Sequence, residues 1–417
     1  MRVIIVGAGI GGLVAALRLH RQGIDCTVYE QSEPIRELGV GINLLPYAVK
    51  ELAELALLDR LDEIGIRTQE LCYAHRLGPE IMRRRCGLNA GFTVPQFSVH
   101  RGKLHGMLLH AVRQRLGAAA VQAGHRLVGV EQDAAEVRAR FVDRRDNVIA
   151  SPRGDVLIGA DGIHSTVRSF LFPNEGPPHW NGIMMWRGAT EWPEFGSGSS
   201  MIIAGGVVAK LVVYPIAPGT SPRTRLTNWA ICVRTGRVDD PPPSRQEWSR
   251  PADRADLQRH VGHFRVPLLD HEALVMATPE SFVFPMCDRD PLPYWTRGRV
   301  TLLGDAAHPM YPMGSNGAGQ AILDATALAH ELARHADPRD ALRGYEHERL
   351  PATREIVIGN RAGGPERVID EVQRRAPAGF SRLEDVIAPA ALEDIFQASA
   401  GNRLVLRPRS PSVRKRL

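Results

Sequence analysis

The stretch that decides the fold is RVIIVGAGIGGLVAALRLHRQGIDCTVYE, residues 2–30. Its apolar, β-branched start over 3–6 predicts a buried parallel strand, since such strands are covered on both faces. The pattern G-x-G-x-x-G follows at 7–12, and apolar residues then recur at helical spacing. The run CTVYE at 26–30 predicts a second strand that ends in an acid. Together these features predict a βαβ unit.

The glycine turn of this unit has the chemistry of a dinucleotide site. Gly7 permits the tight turn, Gly9 lets the backbone approach a pyrophosphate, and Gly12 lets the helix pack closely on the strand. Free N–H groups and the positive end of the helix dipole stabilise phosphates there. Glu30 lies about 20 residues further on, where a carboxylate accepts hydrogen bonds from ribose hydroxyls. An acid here favours FAD or NAD over NADP; a merely close-packed turn is the alternative.

Two further markers place a carboxylate at the end of an apolar strand. The stretch GDVLIGADGIHSTVR (154–168) predicts a strand followed by Asp161, and RGRVTLLGD (297–305) predicts another that Asp305 closes. A glycine-rich loop over 306–317 then leads into an apolar helical stripe. This loop is too long to hold a pyrophosphate as the first turn does. It therefore predicts contact with a different part of the same ligand.

The three markers together resemble the single-component FAD-dependent aromatic monooxygenases of the para-hydroxybenzoate and salicylate hydroxylase type. The resemblance extends to about residue 360, and stretches such as IMMWRGATE (183–191) and NGAGQAILDA (316–325) are similar to phenazine-carboxylate monooxygenases within that family. The resemblance implies an α/β fold. It consists of a Rossmann-like FAD-binding domain of the GR2, para-hydroxybenzoate hydroxylase type, an inserted mixed or antiparallel β-sheet substrate domain, and C-terminal helices.

The expected domains are discontinuous, because strands rich in β-branched and aromatic residues interrupt the FAD-binding part. They are an FAD-binding domain at 1–72, 98–178 and 290–347, a substrate-binding sheet at 73–97 and 179–289, C-terminal helices at 348–400, and a basic tail at 401–417. The tail holds six Arg and Lys residues and no acid, which predicts a solvated chain end.

The resemblance also implies which residues hold FAD non-covalently. The predicted contacts are Gly7, Ala8, Gly9, Ile10, Gly11, Gly12, Glu30, Gln31, Val40, Gly41, Arg101, Leu127, Asp161, Gly304, Asp305, Pro312, Gly314, Ser315, Asn316, Gly317 and Ala318. In this interpretation the first turn and Glu30 hold the AMP half, and Asp305 binds the ribityl hydroxyls. The helix that begins near 315–318 directs N–H groups at the negative charge of reduced flavin. One long ligand then explains both glycine-rich turns.

The implied chemistry requires no acid, base or metal from the protein. NADH or NADPH, docking transiently, reduces FAD, and a flavin C4a-hydroperoxide formed with O₂ hydroxylates an electron-rich aromatic ring, while the protein supplies position and dryness. Pro312 and Gly314 are predicted to form the surroundings of the reacting flavin edge. His260 and His263 have metal-like spacing but no third ligand nearby, so no metal is expected. His308 is interpreted as a packing histidine.

Leu45, Trp186 and Tyr214 are the predicted substrate contacts, with ordinary core positions as the alternative for the two aromatic side chains. Because side chains alternate along a strand, Arg187 is expected on the face opposite Trp186. No arginine cluster for a carboxylate is evident, so a neutral or weakly anionic aromatic substrate is allowed. The resemblance leaves a phenazine-like or carboxylated substrate open.

Composition argues against several other classes of protein. The net charge of +6 equals the charge of the tail after residue 400, so the remaining chain is neutral and no nucleic-acid partner is expected. The chain contains no apolar run of about 18 residues, so no membrane span is expected. Five widely spaced cysteines predict reduced thiols in a cytoplasmic protein. The expected partners are a small aromatic molecule and O₂, and a homodimer is left open.

The main alternative function is an FAD-dependent reductase or dehydrogenase that inserts no oxygen, since it would share both glycine turns. A flavoprotein halogenase ranks lower because the chain lacks a W-x-W-x-I-P stretch. A nucleotide-sensing protein without turnover is the alternative from another class.

Overall fold

The architecture is that of a computed structural model, which describes residues 1–34, 40–238, 240–246, 250–266 and 268–399. The basic tail predicted at 401–417 lies outside the described residues. The strands are, in chain order, β1 (Arg2–Val6), β2 (Asp25–Tyr29), β3 (Gly41–Leu44), β4 (Gly65–Thr68), β5 (Glu70–His75), β6 (Glu80–Arg85), β7 (Gln96–His100), β8 (Val121–Gln122), β9 (Arg126–Gln132), β10 (Val137–Val142), β11 (Val148–Ala150), β12 (Arg153–Gly154), β13 (Val156–Gly159), β14 (His179–Pro193), β15 (Ser200–Gly205), β16 (Ala209–Pro218), β17 (Thr224–Arg234), β18 (Ser281–Asp288) and β19 (Val300–Leu302). The α-helices are α1 (Ile10–Arg21), α2 (Pro46–Glu54), α3 (Leu58–Ile64), α4 (Arg101–Leu116), α5 (Thr166–Leu171), α6 (Arg254–Val261), α7 (His271–Ala277), α8 (Gly317–Arg334), α9 (Pro338–Arg361), α10 (Arg367–Arg375) and α11 (Pro389–Ser399).

A five-stranded parallel sheet brings the three sequence markers together. Its strand order is β19-β13-β1-β2-β8, with Ile4 opposite Leu157 and Leu157 opposite Val300. The strands share one apolar core with α1, α4 and α8. Because β1, β13 and β19 run parallel as neighbours, the turns that follow them meet at one edge of the sheet. That edge is where open α/β sheets bind ligands.

A seven-stranded sheet forms the second layer, in the order β18-β14-β17-β16-β15-β5-β6. Its pairs are antiparallel except for β15 with β5, so the sheet is mixed. Strands β5 and β6 join it from residues 70–85, whereas β7 pairs with β3 and β4 in a separate sheet. Helix α9 runs continuously through the predicted boundary at 347/348. The division into domains stays a prediction.

The two faces of the seven-stranded sheet have different neighbours. One face packs in an apolar core with α6 and α7, and includes Trp186 and Trp229. The other face packs partly against α10 and α11, for example at Ile203, and lines a large cavity over the rest of its area. Among the described helices, none combines the length and the apolar character that a membrane span requires.

Candidate active site

A cavity of about 1480 Å³ joins the two glycine-rich turns. At one end it is lined by Gly7, Gly9 and Gly11, and at the other by the residues 314–318 before and at the start of α8. A second cavity of about 620 Å³ opens beside the first turn at Ala8, Gln31 and their neighbours. Because one continuous space touches both turns, a single elongated ligand can contact both.

The backbone of the first turn is shaped by its glycines. Gly7 has a φ of 104°, and a Cβ there would lie 2.4 Å from the carbonyl oxygen of Ala160. A Cβ at Gly12 would lie 2.0 Å from the carbonyl oxygen of Gly7, so Gly12 packs beneath the turn rather than facing the cavity. A Cβ at Gly9 meets nothing within 4 Å. The backbone at Gly9 is therefore open to a ligand.

Glu30 is held in place at the end of β2. Its Oε2 accepts a hydrogen bond from the amide of Ala8 at 2.8 Å, and its Oε1 accepts one from the amide of Ser32 at 2.8 Å. Glu30 also lines both cavities. The carboxylate is thus oriented by two backbone donors beside the predicted position of a ribose, and Gln31 and Leu127 line the same region.

Asp161 lines the cavity at the end of β13, but its carboxylate has a local structural role. It accepts hydrogen bonds from the Ser165 hydroxyl and from the amides of Thr166 and Val167 at 2.7 and 3.2 Å. Burial raises the pKa of the carboxyl group, and these donors oppose that rise. Asp161 therefore caps the start of α5, and its predicted support of a nucleotide stays a prediction.

The second turn has a strained backbone. Gly304 and Gly314 have φ values of 61° and 72°, and Ser315 has a φ of 58°, which is uncommon for a residue with a side chain. The Pro312 carbonyl accepts a hydrogen bond from the Ser315 amide at 3.0 Å. Asn316, the residue before α8, makes no side-chain cap to the helix. The N–H groups at the start of α8 therefore lack a side-chain cap where the helix meets the cavity.

Two opposite charges line the middle of the cavity. Asp305 is open to the cavity yet lies deep among protein atoms, so burial raises its pKa while His308 and Arg101 lower it. Burial lowers the pKa of the Arg101 guanidinium, and Asp305 raises it. The backbone amide of Arg101 donates to the Val40 carbonyl at 2.8 Å. The structure thus brings together Arg101, Val40 and Asp305, which are far apart in sequence.

A buried polar network supports the second turn from behind. His308 Nε2 lies 2.5 Å from Asp324 Oδ2, which also accepts from the Gly304 amide at 3.1 Å. Asp324 Oδ1 accepts from Arg349 Nε at 2.9 Å. Burial alone would raise the pKa of Asp324, but His308 and Arg349 together lower it. His308 is thus a hydrogen-bond partner of Asp324 as well as a packing residue. The sequence signal for Asp324 was an acid inside an apolar helical stripe.

The face of the seven-stranded sheet forms the floor of the remaining cavity. Along one row across the strands, Arg187 pairs with Ala230, Ala230 with Val212, and Val212 with Ile203. Tyr214 lies on the same face, one alternation step along β16. This face presents mainly apolar side chains to the cavity, which suits an aromatic ligand.

The floor contacts the start of β3 at Gly41, one of the predicted FAD contacts. Asn228 Oδ1 accepts a hydrogen bond from the Gly41 amide at 2.8 Å. A Cβ at Gly41 would lie 2.7 Å from the Tyr214 hydroxyl oxygen. Leu45 also lines the cavity, and its contact with a substrate stays a prediction. The row formed by Asn228 and Tyr214 is therefore the end of the floor closest to β3.

The prediction of Trp186 as a substrate contact is wrong. Trp186 packs in the core on the opposite face of the sheet, with its ring 4.6 Å from the ring of His260. Arg187 lines the cavity instead. Trp186 and Arg187 do lie on opposite faces of the strand, as expected. The register with β17, however, places Arg187 and not Trp186 on the cavity side.

Arg187 is a buried cation among apolar side chains. Its guanidinium carbon lies 5.0 Å from the centre of the Phe284 ring, and Met185 and Met286 line the cavity nearby. Burial, with a contribution from Arg101, lowers the pKa of Arg187 to about 9. The guanidinium is still charged at neutral pH. A positive group in such surroundings is suited to an anionic ligand group.

Comparisons with known proteins agree with this geometry. A family described as an FAD binding domain matches residues 1–359. The phenazine 1,6-dicarboxylic acid hydroxylase of Lysobacter antibioticus is 41% identical over 363 residues, which cover 86% of this chain and 89% of that protein. The 3-hydroxybenzoate 6-hydroxylase 1 of Aquipseudomonas alcaligenes is 31% identical over 368 residues, 86% of this chain and 87% of that protein.

A solved structure supports the same family and cofactor. The crystal structure of Klebsiella pneumoniae HpxO complexed with FAD and uric acid matches with a TM-score of 0.76 and 25% identity, covering 97% of this chain and 98% of that one. These comparisons confirm the predicted α/β fold class, FAD as the cofactor and the monooxygenase activity, rather than a reductase that inserts no oxygen. NAD(P)H is the co-substrate typical of this class. The chain belongs to the single-component FAD-dependent aromatic monooxygenases.

Proposed function

We propose that this chain hydroxylates a planar, polycyclic aromatic acid of the phenazine-carboxylate class, with NADH or NADPH and O₂ as co-substrates. The observation that carries the proposal is the buried guanidinium of Arg187 on the largely apolar floor of the cavity. The relative from Lysobacter antibioticus, named for a phenazine dicarboxylic acid, supports this choice.

The chemistry of Arg187 favours a carboxylate. A guanidinium presents its donors in a planar fork that matches the two oxygens of a carboxylate. Burial and Arg101 both disfavour its charged form, and a bound carboxylate would reverse that effect. Phe284, Met185 and Met286 provide apolar surface for the rings beside it.

The residues of both turns fit FAD, because Gly9 leaves open space for a diphosphate and the cavity continues to the start of α8. When bound, FAD takes up reducing equivalents from the nicotinamide donor and activates O₂. We propose that the amides of residues 9–11 bind the diphosphate, that Glu30 accepts from the ribose, and that Asp305 accepts from the ribityl chain. The N–H groups of 316–318 would stabilise negative charge on the ring.

Pro312 and Gly314 are proposed to border the reacting edge of the ring without donating or accepting a proton. An apolar cluster of Met185, Phe284, Met286, Tyr311 and Met313 surrounds this part of the cavity. Its packing excludes water from the reaction. We propose that the nicotinamide donor docks transiently, because the first glycine turn is assigned to FAD. Whether the chain forms a homodimer is a separate question, which light scattering would answer.

The test is substrate-stimulated turnover by the FAD-loaded protein. Phenazine-1-carboxylate, salicylate and a quinolone are offered with NADH or NADPH, and nicotinamide oxidation, O₂ uptake and product mass are measured. We expect phenazine-1-carboxylate to stimulate both rates and to yield a product with one added oxygen, with or without loss of CO₂. Stimulated nicotinamide oxidation without incorporated oxygen, or stimulation by salicylate alone, would contradict the proposal.

A further inference from the structure

A charged cluster lies on the same cavity floor as Arg187. Lys210 on β16 has its Nζ 3.3 Å from Glu366 Oε2 and 3.1 Å from Asp370 Oδ2. All three side chains line the cavity and are largely buried, with exposed fractions of 12%, 10% and 27%. The sequence motifs gave no indication of this cluster, because 160 residues separate Lys210 from Asp370.

The strand register places the cluster relative to Arg187. Arg187 pairs with Ala230, which pairs with Val212, and Lys210 lies two residues before Val212 on β16. Arg187 and Lys210 therefore lie on the same face of the sheet, two strands apart and offset by two residues along the strand. With ordinary sheet spacings this corresponds to about 12 Å between their Cα atoms. A planar ligand that reaches Arg187 along the floor extends towards the cluster.

The cluster and Arg187 present opposite chemistry. One ammonium faces two carboxyl groups, so the cluster offers no surplus of positive charge. The remaining oxygen of Asp370, Oδ1, is buried and has no hydrogen-bond partner among the described residues. Arg84 also lines the cavity, but its Nη1 is paired with Glu393 at 2.8 Å. A ligand carboxylate at this end would lie beside like charges in a medium of low dielectric constant, which is unfavourable.

We infer that the Lys210–Glu366–Asp370 cluster sets the specificity of the far end of the substrate site, admitting a ring without an anionic group and rejecting a second carboxylate. This inference rests on the proposed function, in which Arg187 binds the first carboxylate. The substrate class is then a monocarboxylated polycycle, in contrast to the dicarboxylic acid in the name of the Lysobacter antibioticus relative.

The cluster also joins α10 to β16, so a structural role has to be distinguished from a role in specificity. Loss of a structural contact would lower turnover of every substrate to a similar extent. Loss of a charge filter changes the ratio between a monoanionic and a dianionic substrate. The ratio is therefore the informative quantity.

The experiment compares kcat/KM for phenazine-1-carboxylate and phenazine-1,6-dicarboxylate in the FAD-loaded protein. The variants are Asp370→Asn, the less buried change, and Glu366→Gln/Asp370→Asn. Glu371→Gln is the matched control, because Glu371 lies on the same helix but pairs with Arg374 and Arg375. Circular dichroism and retained FAD confirm folding of each variant.

We expect wild type to prefer the monocarboxylate by at least tenfold. Asp370→Asn should raise the relative kcat/KM of the dicarboxylate by about tenfold and the double variant by more, while the control leaves the ratio within twofold of wild type. Equal use of both substrates by wild type would overturn the inference, even if the variants fail to fold. An unchanged ratio in folded Asp370→Asn would also overturn it. Absence of turnover with either phenazine would instead contradict the proposed function.

Discussion

At the scale of the residue, Trp186 and Arg187 are neighbours in sequence with opposite surroundings. Trp186 lies in the core beside α6, and Arg187 faces the cavity. Since the side chains of a strand alternate between its two faces, one of the pair had to point each way. A charged side chain on the cavity side is the basis for the proposed binding of a carboxylate, which a tryptophan would not support.

Replacing Arg187 with methionine should separate binding from stability. Arg187→Met keeps an apolar side chain of similar length on the cavity side, so we expect the free energy of unfolding to change by no more than about 1.5 kcal/mol. The same change should raise the KM for an aromatic carboxylate at least tenfold. Chemical denaturation and steady-state kinetics measure the two effects, and a variant with lower stability and unchanged KM would contradict the prediction.

Two glycines of the first turn provide a matched pair. A Cβ at Gly12 collides with the Gly7 carbonyl, whereas a Cβ at Gly9 enters open cavity space, and Gly9 has an ordinary φ of −68°. We expect Gly12→Ala to destabilise or abolish folding. Gly9→Ala should fold normally but lose FAD affinity at least tenfold, because its methyl group takes the place of the diphosphate. Thermal melts and FAD fluorescence titration check this, and unchanged FAD affinity in Gly9→Ala would refute the assignment.

At the scale of the element, α8 connects the second glycine-rich loop, residues 306–317, to the rest of the molecule. Its N-terminus faces the cavity, and its buried Asp324 binds His308 from the loop and Arg349 from α9. Three elements thus meet at one carboxylate. Such a junction holds the loop in a single position, which a strained backbone at 314–315 requires.

Asp324→Asn should therefore destabilise the junction. It leaves Arg349 without its buried counter-ion, and loss of one partner of a buried pair costs about 3–5 kcal/mol. Because the pKa of Asp324 is lowered in the folded protein, its contribution is present at neutral pH and is lost as the pH falls through that pKa. Urea unfolding at pH 7 measures the loss. A cost below about 1 kcal/mol would indicate that the network contributes little.

At the scale of the whole molecule, the two layers enclose one continuous cavity. The parallel sheet supplies the first turn, Asp161 and Asp305 at one edge, and the mixed sheet supplies the floor beyond them. Binding of one long ligand therefore couples parts of the chain about 300 residues apart in sequence.

Hydrogen exchange should detect this coupling. Addition of FAD should protect amides of both 9–11 and 313–318, whereas ADP, which lacks the ring, should protect 9–11 alone. At an FAD concentration of about 100 times Kd, unfolding should also cost about 2.7 kcal/mol more. Mass spectrometry of peptic peptides resolves the two segments. Protection of one segment only in the presence of FAD would show that the ligand does not span the cavity.

The sequence by itself determined the buried strands β1, β13 and β19, the first glycine-rich turn and the carboxylates that follow these strands, because each of these depends on residues that are close together along the chain. Gly7, Gly12 and Glu30 carry their information in their spacing. Tertiary structure alone decided which face of β14 meets the cavity, and it alone brought Lys210 to Asp370 and Arg349 to Asp324. The physical reason is that strand register and helix docking are set by distant partners, whereas local periodicity fixes only the alternation of side chains and not the direction in which each face points.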